Sequence, residues 1–115
     1  MIVAFSVQPT GEPSDPSIVR ELAPGSDSAS VHDAVAAAVR VVRDSGLPHR
    51  TSSMFTEIEG DWDAVMDVVR RAAAEAGRYG SRVSLVLKAD IRPGHEGELD
   101  GKIRRLDAAL EAADG

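Results

Sequence analysis

The densest chemistry in this chain lies between residues 51 and 57, where Thr51, Ser53, Met54, Phe55, Thr56 and Glu57 crowd together. Hydroxyls both donate and accept hydrogen bonds, and an ionised carboxylate only accepts. Glu57 and Glu59 share one face of an extended run. An acid–base pair is conceivable there, but recognition of a cationic or amine-bearing ligand is the simpler use. A second group, Lys88, Asp90 and Arg92, ends a strand and opens a loop; it reads either as ligand contacts or as a solvated salt-bridge cluster. Asp61 and Asp63 are accounted for by helix capping and the helix dipole. A general base drawn from Glu57 or Asp90 would lack a second catalytic member. The histidines at 32, 49 and 95 show no metal-ligand spacing, and no phosphate-cradling glycine loop or nucleophile elbow is present.

The elements that must position these groups follow from periodicity. His49 to Thr51 and Phe55 to Glu59 read as two short strands joined at Ser52-Ser53. Gly60 and the capping Asp61 then open a helix whose apolar stripe is Trp62, Val65, Val69, Ala72, Ala73 and Ala76. Trp62 is read as core or interface packing, with stacking on an aromatic ligand as the alternative. Upstream, Ile2 to Gln8 reads as a central strand covered on both faces. Residues 9–29 read as a long loop, with one helical turn at Ser17 to Leu22 stopped by Pro24-Gly25. A helix opens at Ser30, with Val31, Val35, Ala38, Val39 and Val42 as its buried stripe and Gly46 as its stop. Arg82 to Asp90 is a further strand. Leu99, Ile103, Leu106, Leu110 and Ala113 mark a terminal amphipathic helix.

Strand, helix, two strands, helix, strand is the order of a ferredoxin-like α+β sandwich, here with an additional C-terminal helix. Residues 1–115 form one domain. Both main helices pack on one face of a four-stranded antiparallel sheet. Burying an unpaired carboxylate under them is costly, which sends Phe55, Glu57 and Glu59 to the open face with Ser84, Val86, Lys88 and Asp90. A slip of one residue would exchange Phe55 and Glu57 for Met54 and Thr56. Apolar Phe55 and Val86 on that face point to a second subunit covering it.

The totals narrow the class. A net charge of −6 opposes nonspecific attraction to nucleic acid or anionic membranes. Without cysteine, disulfides and thiolate chemistry are excluded. No signal-peptide pattern or apolar run of about 20 residues is found, so the cytoplasm is the expected location. Two lysines stand against eleven arginines, a bias of GC-rich bacterial genomes.

The runs GLPHRTSSMFTEIEGDWDAVMDVV, LVLKADIR and ELDGKI resemble the thiamine-binding (YkoF-like) family. The most specific part is Met54, Thr56, Ile58, Glu59, Gly60 and Asp61, in the passage from hairpin to helix. The resemblance implies a ferredoxin-like fold, assembly into homodimers or homotetramers sheet to sheet, and binding of thiamine or its hydroxymethylpyrimidine part without catalysis. Thiamine would enter as ligand, and no cofactor or metal is expected. Its aminopyrimidine and cationic thiazolium suit hydroxyls, a carboxylate and an apolar wall. On that basis Thr51, Ser53 and Thr56 would meet the pyrimidine, Glu57 would offset positive charge, and Met54 or Phe55 would form the wall. Lys88, Asp90 and Arg92 would lie nearby. The competing reading is a structural or regulatory homo-oligomer whose open face serves only self-association.

Overall fold

The computed structural model describes residues 1–13, 15–21 and 27–114. Four strands, β1 (Ile2–Thr10), β2 (His49–Thr51), β3 (Thr56–Glu59) and β4 (Arg82–Asp90), form one antiparallel sheet in the order β2-β3-β1-β4. The helices are α1 (Pro16–Glu21), α2 (Asp27–Asp44), α3 (Trp62–Ala76) and α4 (Glu98–Asp114), with a 3₁₀ turn at Gly77–Tyr79. This is the ferredoxin-like sandwich with an extra terminal helix.

Alternation along β1 decides which face carries the core. Val3, Phe5 and Val7 are buried and meet Ile58 of β3 beneath α2 and α3. Burying each such side chain stabilises the fold by roughly 1.5–3 kcal/mol. Directly paired residues share a face, so Glu57, opposite Ala4, and Lys88, also opposite Ala4, lie on the open face as expected. Leu87 and Val83 pack against the core, but Leu85, between them on the edge strand β4, is 44% exposed.

Several expectations change in detail. The loop over 9–29 is shorter than expected. β1 runs on through Pro9 and Thr10, pairing with Val83 and Arg82. Proline is tolerated there because β3 pairs only with Ile2 to Phe5, leaving that flank of β1 without a partner. A short helix spans Pro16–Glu21, and α2 begins at Asp27, so Ser30 lies inside the helix rather than at its cap. The Pro24-Gly25 stop falls outside the described residues. The α2 stripe is rotated: Ala34, Ala38 and Val42 are buried, Val39 is half-buried and Val35 is exposed. Alanine on that face lets the helix approach α3 and the sheet closely.

In α3, Asp61 caps the helix by accepting a hydrogen bond from the Ala64 N–H at 2.8 Å. Val65, Val68, Val69, Ala72 and Ala76 are buried, whereas Trp62 is 55% exposed and is not core. Before β4 the chain passes so close to β1 that a Cβ on Gly80 would sit 2.5 Å from the Thr10 carbonyl oxygen. Only glycine fits that crossing.

Candidate functional site

The hairpin is built around one hydroxyl. Ser52 Oγ donates to the Phe55 carbonyl at 3.1 Å and accepts from the Phe55 and Met54 N–H groups at 3.2 and 3.4 Å. The Ser52 N–H donates to the same carbonyl at 2.9 Å. Strand pairing therefore begins at Thr56, opposite Phe5, and Phe55 belongs to the turn. The expected alternation breaks at that point. Phe55 lines the helix side of the sheet edge with Phe5 and Val7, instead of joining Glu57 on the open face.

The result is a cavity of about 130 Å³ between the hairpin, the far half of β1 and α2. Phe5, Phe55, Met54 and Val35 supply apolar walls, and Thr51, Ser53 and Thr56 supply hydroxyls. Among the described residues no charged side chain lines it. Ser52 is consumed by the turn, but among the described residues the hydroxyls of Thr51, Ser53 and Thr56 make no hydrogen bond. Thr56 is a buried residue, yet its oxygen is not sealed from solvent. Those three groups are free to take a ligand's polar edge.

Glu57, Lys88 and Asp90 stand elsewhere. They line a larger cleft, about 490 Å³, between the open sheet face and the start of α4. The expectation of one site holding both Thr56 and Glu57 gives way, because consecutive strand residues point to opposite faces. Arg92 lies beyond β4, 3.9 Å from Glu98 and beside Met1 and His95, outside both cavities.

Periodicity gave no sign of how α4 is held. Glu59 is buried, and its carboxylate accepts the Glu98 N–H at 2.7 Å and the Leu99 N–H at 3.4 Å. It therefore caps a helix that begins 39 residues later. Glu59 is not a free partner for Glu57. Gly94 and Gly97, with φ of 79° and 66°, turn the chain toward that cap. Arg50 of β2 pairs with Asp100, and Asp90 of β4 with Lys102. The Glu98 carboxyl is held below its usual range, first by its hydrogen bond from Arg105 at 2.5 Å. Leu99 is buried and Lys102 and Ile103 still line the larger cleft, but from Arg104 to Ala113 the helix is exposed. Ile103, Leu106 and Leu110 are 38%, 58% and 55% exposed. The radius of gyration is 17.0 Å, against about 13 Å for a compact chain of this length.

A family profile described as "Thiamine-binding protein" matches residues 18–107. The chain belongs to the thiamine-binding protein family. A UPF0045 protein of Mycobacterium bovis is 42% identical over 111 residues, covering 96% of this chain and 94% of that one. Among solved structures, a DUF77 domain from Bacillus cereus superposes with a TM-score of 0.68 at 28% identity, over 89% of this chain and 85% of that one. A Thermotoga maritima protein, proposed to act in thiamine biosynthesis or salvage, shares the fold with a TM-score of 0.68 at 18% identity, over 91% of this chain and 96% of its own. Membership carries a small-molecule-binding role. Among the described residues no helix is long and apolar enough to cross a membrane.

Proposed function

We propose that this family member is a non-catalytic binder of an aminopyrimidine, either free hydroxymethylpyrimidine or the pyrimidine half of thiamine, seated in the hairpin cavity. One observation carries the reading: among the described residues, three hydroxyls without hydrogen-bond partners line an aromatic-walled cavity that has no charged side chain. A neutral heteroaromatic ring with polar edges matches that lining, whereas an isolated cation would find no counter-charge. Thr51, Ser53 and Thr56 meet the ring nitrogens and amino group, and Phe55 and Met54 close over its face. Glu57 is not part of this seat.

A second copy of the chain covers the open sheet face in this proposal. Val86 is 54% exposed there, and the α4 stripe leaves its own subunit. That surface also favours the second reading, an oligomer whose faces serve only self-association. Calorimetry with hydroxymethylpyrimidine and thiamine decides between them. The first reading expects both to bind and Thr56→Val to weaken both; no heat with either at millimolar ligand leaves the oligomer alone. Sedimentation at micromolar protein is expected to give a dimer or tetramer, and a monomer would remove the covering subunit from the proposal.

A further inference from the structure

The two edges of the sheet differ in how they are protected. β2, at one edge, is three residues long, follows Pro48 and carries Arg50. Shortness, proline and charge are the usual means of keeping a sheet edge from pairing with another chain. β4, at the other edge, has nine residues, RVSLVLKAD, without proline or glycine. Its register with β1 runs through nine consecutive pairs, so no bulge bends it away. None of its residues is buried, and Leu85 on the helix side and Val86 on the open side are 44% and 54% exposed. Alternate amides and carbonyls of such a strand point outward. Among the described residues no strand receives those of β4.

We propose that β4 pairs edge to edge with β4 of a second copy of this chain, antiparallel about a two-fold axis at Val86, so that two four-stranded sheets become one. The strand is self-complementary in that register. Arg82 stands opposite the partner's Asp90, Ser84 opposite the partner's Lys88, and Leu85 opposite the partner's Leu87. Opposite residues share a face, so the leucines meet on the helix side and the charges on the open side. Among the described residues Arg82 takes part in no ion pair, and Asp90 holds Lys102 through only one of its carboxylate oxygens. Lys88 is the one charge inside the strand, and its counterpart in the partner lies four residues along, about 13 Å away. A slip of two residues in either direction would set Arg82 opposite the partner's Lys88 or the partner's Arg92. A slip of one would set outward amides against inward ones. The pairing closes on itself, since each copy has one long edge to give. Edge and open face are different surfaces, so the inference is independent of what covers that face and of what fills the hairpin cavity.

Contacts on the helix side of the sheet separate this pairing from one made through the open face. In a mixture of isotope-labelled and unlabelled chains, filtered NOEs should join the Leu85 methyls of one copy to the partner's Leu87. Exchange at every second β4 amide should slow as protein concentration rises, with the β2 amides unchanged. Neither measurement needs a variant. Arg82→Asp removes both symmetry-related ion pairs at once and sets like charges opposite, so the dissociation constant should rise about tenfold in sedimentation. Asp90→Arg should do the same. An equimolar mixture of the two variants should recover association, because opposite charges then meet at both ends. Asp90→Arg also removes the pair with Lys102, so the quantity read is the gain of the mixture over either variant alone. Circular dichroism confirms that both variants fold. Three results would each overturn the proposal: a monomer at millimolar protein, a dimer with no Leu85–Leu87 NOE between copies, or a mixture of folded variants that associates no better than its components.

Discussion

The hairpin cavity and the α4 cleft share one wall, strand β3, yet they are closed by opposite means. The first is closed locally: four residues turn on the Ser52 hydroxyl, and the wall behind them is the packed core of Phe5 and Val7. The second is closed from a distance, by a helix resting on the Glu59 carboxylate, two exposed ion pairs and one buried leucine. The core behind the hairpin is packed, although Thr51 to Phe55 themselves are exposed, whereas the α4 side is held mainly by polar contacts. Thr56 and Glu57 are adjacent in the chain and work on different sides of this contrast.

The sharpest way to break the comparison is to cut side chains on both faces. Ile58→Ala, at the centre of the core, is expected to cost about 2–5 kcal/mol in urea melts. Leu106→Ala, on the projecting part of α4, should stay within about 0.5 kcal/mol in a monomeric subunit. A comparable loss at both positions would mean that α4 is packed in solution, and its dependence on protein concentration would identify a second copy as the cover.

Next in size is the latch. Glu59→Ala removes the acceptor for two helix N-terminal amides and should cost about 1–2 kcal/mol. Hydrogen exchange at Glu98 and Leu99 is expected to rise, while protection in α3 is unchanged. Glu59→Gln keeps an oxygen acceptor and should lie between the two. If Glu59→Ala leaves the Glu98 and Leu99 amides protected, the cleft does not depend on this carboxylate for its roof.

The hairpin side responds to a smaller change. Thr56→Val keeps the volume and removes the hydroxyl, so aminopyrimidine affinity should fall about three- to tenfold, near 1 kcal/mol. Glu57→Gln should leave that affinity unchanged, because its side chain lies across the strand. Equal losses at both positions would contradict the separation of the two cavities.

How much of this could be read beforehand depended on the range of the interaction. Strand parity was legible: the cost of burying Glu57 put it on the open face, and the register agrees. The same period of two separates Thr56 from Glu57, so grouping them by proximity in sequence conflicted with the strand geometry already assigned. The phase of α2 was not legible, since AVAAAVRVV is apolar or small on nearly every side. Helical spacing put Trp62 on the apolar stripe, but it sits on the exposed first turn of α3 and is not core. Nothing local could connect Glu59 to α4, because the contact spans 39 residues and its donors are backbone amides.

A final contrast comes from the helix side, where the tie is also an exposed ion pair. Asp15, just ahead of α1, accepts hydrogen bonds from the Ser17 N–H and hydroxyl at 2.9 and 2.7 Å, and from Arg78 Nη2 at 2.7 Å. The Ser17 hydroxyl, then Arg78, hold its carboxyl at about 2, below its usual 3.8. A carboxyl depressed on folding stabilises the fold fully above its unfolded value, and that contribution is lost as pH falls through the folded one. The contact between α1 and the Gly77–Tyr79 turn should therefore loosen as the pH falls from about 4 to about 2. An NMR titration of the Asp15 carboxyl should show the depressed midpoint, and Arg78→Ala should move it upward only in part, because Ser17 still donates. A full return to the usual value in that variant would assign the whole effect to Arg78. Exchange at the Ser17 amide should rise over the same interval, with the α3 core still protected. That would separate a surface tie that acid opens from packing that acid leaves in place.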